Sequence, residues 1–373
     1  MPDSWPRLLL LDRLKMKKDL SHPTKITIHE VAAAAGVSIK TVSRVIRDEP
    51  KASEATRQAV RDAIKRLGYV PNAFASAMSS GVTPVVGLLS SGLSEPSILR
   101  TGYEYRMSLQ AGAFDILQAA GFGLALVRLS EADQAHDFSG LIARVRRREV
   151  GGFLITSPLC DREGLVQALQ AAKVPFATIS SPAELHNGPS VVANDREAMC
   201  AMTRLALQFG HRRIAFIRGN AGWRDAEHRY AGYVDAMTGA GLPLDPALVF
   251  QGSFSFDAGR QGAQQLLALT PRPTAIIASS DDIAAGVLAV AHERGMNLPS
   301  DLSVTGYDDI DMARKLWPAL TTIRQPVEQM AGEAARRLIA LMRPVRHSEP
   351  AGPAQVELRS ELVLRDSLTS VPG

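Results

Sequence analysis

The chain has 373 residues, 46% of them hydrophobic and 21% charged, with a net charge of +4. That is enough apolar material for two or three packed units, and no apolar run approaches the roughly 20 residues of a membrane-spanning helix. Two cysteines, Cys160 and Cys200, exclude a disulfide framework and fit a reducing cytoplasm.

The charge is uneven. Residues 16–85 carry 11 Lys/Arg against 6 Asp/Glu, and residues 86–373 carry 28 against 30. A basic head on a near-neutral body suits phosphate contacts made by the head, although charge alone fits a solvated basic face equally well. The Leu8–Leu11 run is too short for a secretory signal and has no small-residue cleavage site behind it. Met16-Lys-Lys-Asp reads as an ordinary start, so residues 1–24 are expected to be a disordered extension and Met16 the initiator.

The head reads as helices around a tight turn. Thr27-Ile-His-Glu30 has the form of a capping box, with Ile28, Val31 and Ala32 at core spacing. Gly36 stands where a helix must stop and turn, and Ser38 is a natural cap for a second helix to about Ile46. On that helix Val42, Val45 and Ile46 share the inward face, which turns Ile39, Lys40, Ser43 and Arg44 outward. Lys and Arg can bond guanine edges in the major groove, and an apolar side chain can touch a thymine methyl. The Ala-x-x-Gly-Val-Ser turn weighs against a merely solvated face. Ser53 caps a third helix, Glu54–Leu67, with Ala55, Ala59, Val60, Ala63, Ile64 and Leu67 as one stripe. After Gly68, Asn72 can cap a short helix over Ala73–Ser79; it is too brief to stand alone and would form when held by DNA or a partner, the alternative being a plain linker.

From Val85 the pattern alternates β and α. Strands are expected at 85–89, 122–127, 152–155 and 176–179, with helices at 107–120, 137–148 and 162–172 between them. A second series follows: helix 195–209, strand 214–217, helix 225–240, strand 248–250, helix 257–269, strand 275–278, helix 282–294 and strand 303–307. Helix 328–341 is expected to return to the first lobe and residues 355–364 to the second. The expected fold is α/β: an all-α helix-turn-helix head at residues 25–70, a hinge and linker at 71–83, and two doubly wound lobes of periplasmic-binding-protein type in 84–373. Lobe 1 would take about 84–192 and 326–353, and lobe 2 about 193–324 and 354–368. Ligands in such sheets sit beyond the carboxyl ends of the strands. Those ends hold Ser90, Thr156, Ser180, Phe254, Ser280, Asp281 and Asp308, a set of hydroxyls, carboxylates and an aromatic that suits a polyhydroxylated ligand.

Thr27-Ile-x-x-Val-Ala-x-x-Ala-Gly-Val-Ser-x-x-Thr-Val-Ser-Arg-Val, then Thr56-Arg57 and Gly68-Tyr-x-Pro-Asn72, resembles the LacI/GalR family of transcriptional regulators, and the resemblance runs through everything from Thr27 onward. It implies that Ile39, Lys40 and Arg44 read bases, that Thr27, Ser38, Thr41 and Ser43 lie at phosphates, and that Asn72, Ala75 and Met78 enter the minor groove, Met78 as the wedge. The family's common Arg two residues before the wedge is Ser76 here. The resemblance also implies effector contacts by Arg229, Asp308 and Phe254, by Tyr105 at the pocket mouth, and by Trp317 in an interlobe segment. Ser280 and Ser180 stand where the family often has Asn and Asp.

Other chemistries are poorly supported. Asp281-Asp282 and Asp308-Asp309 could suggest a glycosidase pair, but that needs a defined separation around one bond. Gly121-Phe-Gly lacks the third glycine and precedes a strand, and there is neither a phosphate-binding loop motif nor zinc-ligand spacing, so no cofactor and no metal are expected. The expected protein is a cytoplasmic homodimeric repressor of carbohydrate uptake or catabolism genes, binding a palindromic operator in double-stranded DNA and released by a sugar or glycoside. A co-repressor-dependent regulator with a purine-type ligand stays open, as does, more remotely, a sugar-binding module without a regulatory role. Helix 107–120 is the expected dimer surface. The absence of Leu-rich heptads after Leu364 favours a dimer over a tetramer.

Overall fold

The computed structural model describes residues 26–46, 51–69, 82–89, 102–129, 137–343 (except 163, 183, 185 and 187) and 353–371. The chain divides into two compact units, Met1–Ser80 and Gly81–Gly373. The expected extension at 1–24 and the helix at Ala73–Ser79 lie outside the described residues.

The first unit holds α1 (Ile28–Ala35), α2 (Ile39–Ile46) and α3 (Glu54–Leu67). The capping box closes as its spacing requires, with the Thr27 amide donating to the Glu30 carboxylate at 2.6 Å. Gly36 ends α1 at φ 64°, a left-handed geometry that a side chain would strain. The Ser38 hydroxyl accepts the Thr41 amide at 3.2 Å, and Ser53 does the same for Thr56 at 3.3 Å. Val31, Ala32, Val42, Val45, Val60 and Ala63 form the small core. Ala55 and Ala59, expected in the α3 stripe, are exposed; one methyl group carries too little burial energy to set a helix's rotation against Val60 and Ile64.

In the second unit β1 (Val85–Leu89), α4 (Tyr103–Ala119), β2 (Gly123–Val127), α5 (Ser139–Arg146), β3 (Gly152–Thr156), α6 (Leu165–Ala171), β4 (Phe176–Ile179) and β5 (Ser190–Ala193) build the first lobe. The second contains α7 (Asp195–Gln208), β6 (Ile214–Arg218), α8 (Arg224–Gly239), β7 (Val249–Gln251), α9 (Phe256–Leu266), β8 (Ala275–Ala278), α10 (Asp281–Glu293) and β9 (Ser303–Thr305). Then come β10 (Thr322–Arg324), α11 (Val327–Met342), β11 (Gln355–Leu358) and β12 (Glu361–Val363). The first sheet is parallel with order β11-β5-β4-β3-β1-β2, and the second is parallel with order β7-β6-β8-β9. Each sheet is covered on both faces, so its strands read as continuous apolar runs. The doubly wound class inferred from the β/α alternation is the one observed.

Two features differ from the expected layout. Residues 190–193 form a strand rather than only a linker. Residues 355–358 do not join the second lobe: they pair with β5 at the edge of the first sheet, Gln355 opposite Ser190 and Leu358 opposite Ala193. A half-exposed edge strand carries an alternating pattern that does not say which edge it completes. The chain then crosses again, β12 pairs antiparallel with β10, and the tail runs onto the second lobe, where the Val304 amide donates to the Ser367 carbonyl at 2.9 Å. The lobes are therefore joined by three crossings, at 193–195, 324–327 and 358–361.

Helix pairs in both lobes meet over glycine. A Cβ on Gly112 of α4 would lie 2.1 Å from the Glu328 carbonyl oxygen of α11, and one on Gly232 of α8 would lie 2.2 Å from the Arg196 carbonyl oxygen of α7. Backbone cannot yield there as a flexible side chain could. Gly112→Ala is expected to destabilise the first lobe by about 1–3 kcal/mol, seen as a lower urea midpoint; an unchanged midpoint would contradict this close approach.

Candidate functional site

Two surfaces collect the residues singled out from the sequence. The first is the outer face of α2. Ile39 is 40% exposed despite being apolar, and Lys40, Ser38 and Thr27 are exposed beside it. Thr41, Ser43 and Arg44 are half-buried along the same helix, and the Ser38 and Thr41 hydroxyls bond each other at 2.9 Å. An amphipathic two-turn helix at the end of a capped turn presents these side chains together. Asn72, Ala75 and Met78 lie outside the described residues.

The second is a cavity of about 350 Å³ between the lobes, at the carboxyl ends of the strands. Tyr105, Thr156, Arg229, Phe254, Ser280 and Asp308, all singled out in advance, line it. Arg106, Ser157, Asn220, Trp223, Asp225, Asp257 and Asp282 line it as well. Trp223 and Phe254 form an aromatic corner with ring centroids 5.9 Å apart.

Arg229, one turn into α8, is the organising charge. Its guanidinium is buried, donates to the Ser279 carbonyl at 2.6 Å, and lies 3.4 Å from both Asp195 and Asp308. It stacks 3.8 Å above the Tyr307 ring, whose hydroxyl donates to Asp195 at 2.5 Å. Burial works against its charge, but the Asp308 and Asp195 carboxylates prevail and hold its pKa above the ordinary arginine value. Asp308, in left-handed backbone at φ 116°, also accepts from the Gln325 side chain at 2.6 Å, and burial pushes its carboxyl up to about 7 against the pull of Arg229. Asp225 sits one turn before Arg229. Burial, with the Asp195 carboxylate adding to it, raises Asp225 to about 7 as well.

Three expected contacts fall elsewhere. Asp281 is fully buried away from the cavity: it accepts from the Thr322 hydroxyl at 2.6 Å and the Ile310 amide at 3.0 Å, and so ties the loop after β9 to a crossing strand. Its neighbour Asp282 faces the cavity instead and accepts the Gly102 amide of the opposite lobe at 3.1 Å. The reason is the Ser280 cap, which accepts the Ile283 amide and sets the rotation of α10. Ser180 is buried with φ 69° and is not on the cavity wall. Trp317 is 82% exposed and is not in the cavity lining, and Ser90 lies outside the described residues. Asp225 was missed although a signal existed, since it precedes Arg229 by four residues and so shares its helix face.

Residues 27–72 match the family described as bacterial regulatory proteins, lacI family, and residues 203–368 match the periplasmic binding protein-like domain. The chain is 30% identical over 345 residues to catabolite control protein A of Priestia megaterium, covering 92% of this chain and 99% of that one. The chain belongs to the LacI family. It is also 32% identical to the regulator CelR of Thermobifida fusca over 91% of this chain and 98% of that one. A solved CelR–cellobiose complex covers 92% of this chain and 99% of its own, with 31% identity and a TM-score of 0.65. The molecule is thus a DNA-binding transcriptional regulator built on the LacI-family plan. Among the described residues no helix is long and apolar enough to cross a membrane.

Arg229→Ala would leave Asp195 and Asp308 facing each other without a counter-charge, and removing one partner of a buried ion pair costs about 3–5 kcal/mol. The unfolding midpoint of this variant is expected to fall accordingly; a neutral result would mean that the cluster adds nothing to the fold. Asp225 has a pKa raised from about 3.9 in the unfolded chain to about 7, so its ionisation disfavours folding progressively as pH rises through that window. Asp225→Asn should therefore raise the melting temperature above pH 7 and make little difference near pH 4. An equal gain at both ends would show that charge is not the cause.

Proposed function

We propose that this regulator is a cytoplasmic homodimeric repressor of carbohydrate uptake or catabolism genes, released from a palindromic operator when a sugar or glycoside fills the interlobe cavity. The observation that carries the ligand class is the cavity wall, where carboxylates, hydroxyls and an amide surround a Trp223–Phe254 corner. Carboxylates accept paired hydroxyl donors, and aromatic faces cover the apolar C–H surface of a sugar ring. The cellobiose-bound relative supports the same class.

The head is residues 25–70 and the hinge 71–83. Ile39, Lys40 and Arg44 would read base edges, with Thr27, Ser38, Thr41 and Ser43 at phosphates and Asn72, Ala75 and Met78 in the minor groove. One such head covers half a site, so a dimer is required. Tyr103, Met107 and Phe114 present exposed apolar surface on α4, next to Leu126 on edge strand β2, and this is the surface a second copy would cover. Ligand binding would favour one lobe closure over another through the three crossings and so change the population able to hold DNA. No catalytic role is assigned: Asp281 is bonded into the fold, and Asp309 is paired with Arg324 and Arg365.

Selection of random duplex DNA against the full-length protein should enrich a palindrome, and a bound sugar should release it. Lys40→Ala should weaken binding by about 1–3 kcal/mol at one base position of each half-site. A selected site with no two-fold symmetry would overturn the dimeric reading. A sugar that tightens binding instead would make the ligand a co-repressor.

A further inference from the structure

We infer that the interlobe cavity takes an uncharged or amine-bearing sugar and rejects phosphorylated and carboxylated ones. This charge class rests on the carbohydrate reading of the same cavity. Among the described residues two cations line the wall, and both already face carboxylates: Arg229 lies between Asp195 and Asp308, and Arg106 faces Asp282. That leaves the described wall with more carboxylates than cations: Asp225 has only a share of Arg229, which Asp195 and Asp308 also draw on, and Asp257 at the exposed mouth has no lining cation of its own among the described residues.

Helix architecture points the same way. The N-terminal turns of α8, α9 and α10 all reach this cavity, and free helix N-termini are where phosphates and carboxylates bind. Here each first turn carries its own aspartate on the cavity wall: Asp225 on α8, Asp257 on α9 and Asp282 on α10. Each positive end that could hold an anionic ligand therefore carries a fixed carboxylate on its cavity side. A phosphoryl group, with a charge near −2, would enter a space of about 350 Å³ against them. A hydroxyl donor or an ammonium would instead be welcomed by the same oxygens. Burial first, and then the Asp195 carboxylate, raises the pKa of Asp225 against the pull of Arg229.

The test is calorimetric titration of the full-length protein at mildly alkaline pH, where the carboxylates are ionised. The probes are neutral pentoses, hexoses and disaccharides including cellobiose, each monosaccharide against its phosphate ester and its uronic acid, together with 2-amino sugars. The best neutral or amino sugar should bind on the order of tenfold or more tighter than its anionic counterpart. Asp225→Asn should narrow that ratio, and Asp257→Asn, at an exposed position that does not threaten folding, should narrow it less. A phosphate ester bound by the wild type as tightly as its parent sugar overturns the charge class and leaves the carbohydrate reading standing. A ratio unmoved by both substitutions also overturns it. Binding of no saccharide at all removes the carbohydrate reading and the charge class together.

Discussion

A buried guanidinium governs the second unit. Arg229 is placed where water cannot solvate it, so the fold must supply what water would: two carboxylates, a backbone carbonyl and an aromatic face. Those partners come from α7, the loop after β8 and the loop after β9. One charge thereby fixes the positions of three segments at the carboxyl edge of the second sheet, and the cavity takes its shape from them. Asp308 is held on the wall in strained backbone because Arg229 and Gln325 both grip it. Gln325 belongs to a crossing segment, so the cluster also reaches the connection between the lobes.

The crossings are themselves tied down by charge and hydroxyl contacts rather than by apolar packing alone. Asp281 holds Thr322 and the Ile310 amide, while Asp309 holds Arg324 and Arg365. Across the cleft the lobes touch through polar groups: Asp282 with Gly102, Glu104 with the Asp311 amide, and Arg224 with Asp161. Partly exposed polar contacts are weak individually and can be exchanged for water or for ligand groups. A fold with a rigid floor and a polar seam is suited to two closures of similar free energy, which is what a ligand-biased switch needs. The first unit works on a different scale. Its core is a handful of small apolar side chains, and its helices are set by caps and one left-handed glycine, so local rules suffice to orient the outward face of α2.

Reading from sequence succeeded where the determinants are local or periodic. The capping box at Thr27–Glu30, the turn at Gly36, the split of α2 into Val42/Val45 and Ile39/Lys40, and the β/α alternation after Val85 all follow from spacing, because caps and amphipathic periods are properties of a few adjacent residues. Arg229, Phe254 and Asp308 could be placed at strand ends or by motif, and the cavity brings them together. What tertiary structure decided were matters of choice between equivalent alternatives. Asp281 and Asp282 are adjacent and chemically identical; only the rotation of α10 against β9 sends one into the core and the other into the cavity. Gln355–Leu358 could have completed either sheet, and edge pairing with β5 depends on residues more than 160 positions away. The glycine contacts between α4 and α11 and between α7 and α8 exist only once two backbones approach, so no window of sequence contains them.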